Sequence, residues 1–480
     1  MAISPRPHII IIGMGPAGLA AAARLKGTSI HFTIIDGGKA VQDRDRYLTE
    51  DATRGHGGAG LFSDGKFSFF PSASELWSLP REGDLREAYD WTCDVLNQAG
   101  LETPPFPGNP DAYSVAGTVE SEEWKLKDYP SDYLSLDARL RLVHDMVSDM
   151  DGSVMNECNV RNATYHAASD SFTVVVEDRA TGPIITRLSA NRLLMTTGRF
   201  GPLGESLRRM TRHHQFHRLE VGFRIQQRSE RAFFRAMPQL DPKLRVHESD
   251  GSVEWRTFCV CRQGETCLTE TNGLGTVSGR SDCLPTGRSN SGFNTRILDR
   301  ELARKSLDRV LAAMGRPEAH FQVPAQGLLR GDAEVVAALD EIYGPELVGK
   351  MAEGLRRLSQ TYSDLGDDEE ATLIGPTLEG IGWYPKVDGN LSLLDAPAWV
   401  AGDACGLFRG IVAAMISGHY AAASAIDELV HGAQGAQMRP KALADQTPIE
   451  MATPSSKRCL NEQPAAIECD GPCCSLAGGV

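Results

Sequence analysis

His8-Ile9-Ile10-Ile11-Ile12-Gly13-Met14-Gly15-Pro16-Ala17-Gly18-Leu19-Ala20-Ala21-Ala22-Ala23-Arg24-Leu25 is the stretch on which the fold turns. A continuous apolar run ending in Gly reads as a parallel strand buried on both faces. The Ala-rich run behind Gly18 is a strong helix former. Between them each Gly has a separate task. Gly13 permits the tight turn, Gly15 lets a pyrophosphate approach the backbone, and Gly18 lets the helix pack on the strand. Pro16 and Ala17 open a helix whose N-terminus offers positive potential to phosphates. A second apolar strand, His31-Phe32-Thr33-Ile34-Ile35, ends in Asp36, where a ribose hydroxyl needs an acceptor. The competing reading is an ordinary βαβ unit in which Asp36 caps a turn.

Three later segments extend this unit and choose among dinucleotides. Arg54-Gly55-His56-Gly57-Gly58-Ala59-Gly60-Leu61-Phe62-Ser63-Asp64-Gly65-Lys66 is a Gly-dense loop able to bring backbone N–H groups to a phosphate or a flavin ring. Ser171 to Asp178 and Ile184 to Leu188, joined through Ala180-Thr181-Gly182, read as a β-hairpin. They lead into a buried strand from Arg192 that ends in Thr197-Gly198. Ala398-Trp399-Val400-Ala401 ends in Gly402-Asp403 and is followed by Arg409-Gly410-Ile411 and a small-residue helix. A strand ending in Asp and opening a helix sets a carboxylate beside ribityl hydroxyls and a helix N-terminus toward charge developing on a flavin.

That order of parts resembles the FAD-binding superfamily that includes glutathione-reductase-type flavoproteins. Within it, Gly57 to Phe67, Glu220-Val221-Gly222-Phe223-Arg224 and Arg256-Thr257-Phe258-Cys259-Val260-Cys261 resemble the bacterial family described as FAD-utilising dehydrogenases. The resemblance runs, with gaps, to about Leu429. It departs at Arg262-Gln263, where that family has Pro and Gly. It implies an α/β fold, a discontinuous Rossmann-like FAD domain with a second α+β substrate or cap domain, and FAD as cofactor. It also implies that the backbone of Val160 lies against the adenine. No Cys lies between Gly55 and Phe70, which argues against a disulfide reductase, whose loop carries an exchanging pair. Neither Gly198 to Gly204 nor Gly273 to Gly279 makes a second strand–glycine–helix unit, so any NAD(P)H would dock transiently.

The expected domains follow from these placements: FAD domain at 1–71, 132–210 and 372–430, second domain at 72–131 and 211–371, and a disordered Cys-containing tail at 431–480. A chain of 480 residues needs more than one core, since single cores stop growing at roughly 250–300 residues. The net charge of −14 argues against nucleic acid, tRNA included. No apolar stretch approaches the ~20 residues of a membrane span. Together with eleven scattered Cys, this points to a soluble, cytoplasmic protein that needs no membrane.

The resulting expectation is an FAD-dependent oxidoreductase, a dehydrogenase or oxidase taking hydride from a small organic substrate. The alternatives are an NAD(P)H-dependent flavin monooxygenase using oxygen, or a thiol- or metal-linked flavoprotein that uses Cys459, Cys469, Cys473 and Cys474 of the tail. No metal site is expected elsewhere. Lys66 is the catalytic candidate, because an ammonium beside the ring stabilises its anionic reduced form. It equally suits an ion pair with Asp64 or a phosphate. His56 reads as structural, with a pyrophosphate contact as the alternative. Arg224 and Arg256 suit a substrate carboxylate or ion pairs with Glu220 and Glu254. Cys259 and Cys261 alternate on a strand and should share one face, as redox partners or as small hydrophobes. Cys405 reads as packing.

Overall fold

The computed structural model describes residues 6–109, 124–180, 182, 184–201 and 203–431. They belong to the unit Met1–Ala444, whereas the unit Asp445–Val480 lies outside the described residues. The Cys tail from residue 432 onward, including Cys459, Cys469, Cys473 and Cys474, therefore also lies outside them. So do Thr181 and Pro202.

The Ile9–Ile12 run is buried on both faces, which requires a central position in a sheet. His8–Ile12 is the middle strand of a five-stranded sheet ordered Ala398–Val400, Arg192–Met195, His8–Ile12, His31–Ile35, Ser153–Met155. Every pair is parallel, with Ile10 opposite both Leu193 and Thr33. The helix Pro16–Leu25 returns between the first two strands, and the 21-residue helix Ile411–His431 lies against it. Their approach is close because Gly418 is bare: a Cβ there would stand 2.0 Å from the Ala17 carbonyl. The expected hairpin forms, and Cys158–His166 joins it in a three-stranded antiparallel sheet. Ser153–Met155 and Cys158–His166 are separate strands. Glu157 takes a left-handed φ of 52°, which turns Cys158–His166 out of the parallel sheet.

A second sheet has seven antiparallel strands, ordered Phe321–Pro324, Thr372–Pro385, His214–Arg228, Arg288–Ile297, Val253–Cys261, Lys243–His247, Lys125–Lys127. Its apolar face carries Leu219, Val221, Phe223, Ile225, Trp255 and Ile297. These pack with Leu339, Leu347, Met351 and Leu355 from the helices Ala333–Tyr343 and Pro345–Thr361. Fully burying each such side chain contributes roughly 1.5–3 kcal/mol. This is the second core, so the fold is α/β with a Rossmann-like sheet and an α+β partner.

Residues 72–131 divide differently from the expectation. Leu76, Trp77, Leu85, Ala88, Tyr89 and Leu96 belong to the first core, and the helix Glu82–Gln98 packs on Ile411–His431. Among the described residues of this range, Lys125–Lys127 joins the second sheet and Trp124 packs on its core. The helical stripe of Leu85, Ala88, Thr92 and Leu96 announces an apolar face but not which core receives it.

Candidate active site

The first turn is built as its glycines require. Gly13 sits at φ 104°, and a Cβ on it would lie 2.5 Å from the Thr196 carbonyl. A Cβ on Gly18 would lie 1.9 Å from the Gly13 carbonyl, so bare helix meets bare turn. Gly15 differs. Its φ of −72° is ordinary, and the nearest atom to a Cβ would be Gly58 Cα at 3.9 Å, so the space beside it opens into a cavity. Pro16–Leu25 has no side-chain cap and no acid in its first turn, which leaves its N-terminal donors for a ligand. Asp36 closes the far side: its carboxylate accepts the Met14 and Gly38 N–H groups, both at 2.8 Å.

The Gly-dense loop folds over this turn. The Gly57 N–H donates to the Met14 carbonyl at 2.8 Å, and Gly57 and Gly58 both adopt left-handed φ. The buried Arg44 guanidinium ties the loop by donating to the carbonyls of Asp51, His56 and Gly58. Burial lowers Arg44 to about 10, leaving it charged at neutral pH. Gly60 faces Ile411, with a Cβ 3.1 Å from Ile411 Cγ1.

One cavity of about 750 Å³ gathers these parts. Its lining includes Gly13, Gly15, Pro16, Ala17, Asp36, Gly58, Ala59, Gly60, Lys66 and Val160. Thr197, Gly198, Gly402, Asp403, Gly410 and Ile411 complete the group. That volume lies within the roughly 300–1,000 Å³ of small-molecule sites. Gly18 and Gly57 stand behind the wall, where they pack. His56 is also off the lining: it is buried, with Nε2 2.5 Å from Asn156 Oδ1. Arg54, Glu50 and Asn159 also line the cavity, without a motif of their own in the sequence. Arg54 donates to Glu50 Oε1 at 2.8 Å and to Asn159 Oδ1.

Asp403 carries the most telling acceptor. Its Oδ2 takes Arg199 Nε at 2.9 Å, while Oδ1 is buried and has no hydrogen-bond partner. Burial alone would raise this carboxyl, but Arg409 and Arg199 outweigh burial and hold it below the ordinary carboxylate range. An ionised oxygen without a donor, at a cavity wall, suits a ligand hydroxyl.

Lys66 lines the cavity with its ammonium between two carboxylates and a carbonyl. Nζ stands 2.8 Å from Asp64 Oδ2 and 3.3 Å from Asp241 Oδ1, and donates to the Val260 carbonyl at 2.6 Å. Burial opposes the charge, yet Asp241 and Asp64 outweigh it and hold Lys66 well above its ordinary value. The Asp64 ion pair weighed from the sequence is therefore present, and Lys66 pins the Gly-dense loop to the second sheet.

Arg224 is buried and donates to Asn290 Oδ1 at 2.6 Å and the Cys259 carbonyl at 2.5 Å, so it braces a bulge. At that bulge the Val253–Cys261 register shifts between Phe258 and Cys261, and Cys259 has φ 46°. The bulge breaks the alternation that would have put Cys259 and Cys261 on one face. Burial pushes their thiols up to about 12 and 11, so both are protonated at neutral pH. Cys405 is fully buried and donates to the Gly402 carbonyl at 3.3 Å. At Arg262-Gln263 the chain turns: Gln263 takes the left-handed φ of 53°, and Arg262 donates to the Phe234, Met237 and Gln239 carbonyls.

The opposite wall holds the expected Arg256 and Glu220 together with Arg218, Arg296, Arg199, Arg409 and Glu379, which the sequence does not single out. Along His214–Arg228, Arg218 and Glu220 alternate with the core residues Leu219 and Val221. Glu220 lies opposite Arg296, Arg296 opposite Glu254, and Arg245 opposite Arg256, so these share the sheet face that turns from the core. The fully buried Glu220 takes Arg218 at 3.0 Å, Arg409 at 2.6 Å, Arg296 at hydrogen-bond contact and Arg256 at 3.9 Å. Glu379 holds Arg199 at 3.0 Å and Arg409 at 3.4 Å, and Arg296 also reaches Glu254 at 3.0 Å. The pattern Arg-x-Glu against Leu-x-Val was visible in the sequence but reads equally as a solvent face.

No protein-family model matches the chain, and neither does any curated protein. Solved structures align at low identity. A flavoprotein/dehydrogenase from Cytophaga hutchinsonii is 13% identical, with 88% of this chain and 78% of that one covered and a TM-score of 0.39. CmlS, a flavin-dependent halogenase, is 14% identical over 90% and 60% of the two chains, with a TM-score of 0.39. CtdE in complex with FAD is 10% identical over 88% and 84%, with a TM-score of 0.36. Likeness at this level leaves the functional reading to the cavity.

Proposed function

We propose that this chain is an FAD-dependent oxidoreductase, a dehydrogenase or oxidase that takes hydride from a small organic substrate. One observation carries the reading: widely separated dinucleotide-type segments, from Gly13 to Ile411, line a single cavity. The residues fit the cofactor chemically. The open side of Gly15 and the donors at the head of Pro16–Leu25 suit a pyrophosphate, and the orphaned Asp403 Oδ1 suits a ribityl hydroxyl. Asp36 and Val160 would hold the adenosine end. When bound, FAD supplies two-electron acceptance, with the protein providing position and charge.

This chain's own residues then have distinct duties. Gly58 to Gly60 and Ile411 shape the slot, and Arg44 keeps the loop in register. Lys66 adds fixed positive charge beside the slot without freeing a proton. Asp403, ionised, orients hydroxyls. Cys259 and Cys261, both protonated, take no part in electron relay.

Purified protein should carry FAD, and mixing it anaerobically with its substrate should bleach the flavin with no nicotinamide present. Bleaching that requires NADPH and then yields an oxygenated product would replace this reading with the monooxygenase one. Protein that neither contains nor takes up FAD would overturn both.

A further inference from the structure

The cationic groups where the second sheet meets the loops after Met195 and Val400 outnumber the acids that serve them. Arg199, Arg218, Arg256, Arg296 and Arg409 share Glu220, Glu254, Glu379 and Asp403. Lys127, opposite Lys243 in the sheet, adds a further positive charge. Among the described residues Lys127 has no carboxylate within ion-pair distance, and its polar contact is Ser74 Oγ at 3.4 Å. Lys243 spends its charge on Asp241 at 3.3 Å.

Arg256 is the least committed of the guanidiniums. It lines the cavity and donates no hydrogen bond among the described residues; its one contact within ion-pair distance is Glu220 at 3.9 Å, which already serves Arg218, Arg296 and Arg409, while Glu254 acts on it from farther away. A planar fork of five N–H donors that makes no hydrogen bond within the described residues is matched by an oxyanion. Lys127 lines the same cavity, and Arg256 is the charge that acts on it most strongly. Two partly desolvated cations in mutual repulsion gain most when one anion binds both.

We propose that this end of the cavity binds a small organic oxyanion, a carboxylate or phosphate group, through Arg256 and Lys127, and that the group belongs to the substrate. The assignment to substrate rests on the flavin reading. The glycine turn at Gly13 to Gly18, which suits the cofactor's own phosphates, belongs to the other sheet, so cofactor and oxyanion have separate walls. Substrate selectivity then comes from holding the anionic group on the second sheet while the remainder reaches toward the Gly58–Gly60 slot.

The test is calorimetric titration of FAD-saturated protein with glutarate, inorganic phosphate and the neutral control glutaramide at millimolar concentrations. Binding of glutarate or phosphate, weakened by added salt, with no binding of glutaramide, is expected. The preferred anion identifies the source as carboxylate or phosphate. Arg256→Met and Lys127→Met should each weaken that binding roughly 10- to 100-fold, the loss of a charge-assisted contact. Arg256→Lys should restore part of it. Arg228→Met, which removes an exposed pair with Glu370, should change nothing. FAD content and thermal midpoint report whether each variant is folded, and the conservative Arg256→Lys serves if Arg256→Met is not.

Equal binding of glutaramide, no binding of either anion, unchanged affinity in both Met variants, or displacement of the anion by FAD would overturn the assignment. If the protein takes up no FAD, the same titration on colourless protein still reads the anion site. Failure of the cofactor and failure of the oxyanion site are thus separable.

Discussion

Substituting Gly15 and Gly18 separately by Ala distinguishes a ligand-facing glycine from a packing glycine. At Gly15 the backbone angles suit Ala, and the new Cβ would be 3.9 Å from its nearest neighbour. Removing an N-cap Gly costs about 1 kcal/mol or less, so the apo fold should survive. The methyl would instead stand where a pyrophosphate approaches. Losing one charge-assisted N–H contact is worth about 1.5–3 kcal/mol, or roughly 10- to 100-fold in FAD affinity. At Gly18 the Cβ would lie 1.9 Å from the Gly13 carbonyl, a backbone atom held by the strand, so the helix would have to shift by about 1 Å. Overpacking of this kind costs roughly 1–3 kcal/mol or more, only partly offset by the better helix propensity of Ala. Urea unfolding of the apo proteins and FAD titration by flavin fluorescence give both quantities. A folded Gly15→Ala variant that binds FAD within about twofold of the parent would refute the cradle assigned to this turn. A Gly18→Ala variant as stable as the parent would refute the packing role.

Lys66→Met leaves Asp64 and Asp241 buried without their shared ammonium. Removing one partner of a buried pair costs roughly 3–5 kcal/mol, so the thermal midpoint should fall sharply, and an unchanged midpoint would contradict the network. Cys259 and Cys261 should resist iodoacetamide at pH 7 in the native protein and react after unfolding in urea, because burial keeps both thiols protonated. Rapid native labelling would restore the redox reading. Lys127 is lowered to about 8 by burial and then by Arg256, Arg245, Lys243 and Arg296. Below pH 8 it is charged before and after an anion binds, so affinity should be flat. Above pH 8 the free form loses its proton, binding must take one up, and affinity should fall by up to about tenfold per pH unit. Calorimetry in buffers of different ionisation enthalpy reads that proton uptake, and a flat profile through pH 9 would exclude Lys127 from the site.

Local patterns with one structural solution were legible. The apolar run to Ile12, the Gly13 turn and the helix behind it have one plausible geometry, and the strand from Ala398 delivers Asp403 to the same cavity. Less legible were choices between equivalent burials. Leu85 and Leu96 mark an apolar stripe, yet nothing in that stripe selects the first core over the second. The alternation of Arg218 and Glu220 with Leu219 and Val221 looks the same whether the polar face meets water or an enclosed cavity. A bulge such as that at Cys259 gives no composition signal, because its residue is not Gly. The acidic total of −14 likewise conceals a cationic interior wall, since net charge carries no position.

The most direct measurement is the absorption spectrum of the purified protein together with the identity and amount of nucleotide released on denaturation. Yellow protein with flavin bands, releasing FAD in stoichiometric amount, is the predicted result. Colourless protein that stays colourless after incubation with excess FAD would contradict the assignment of the cavity between Gly13 and Ile411 to a flavin.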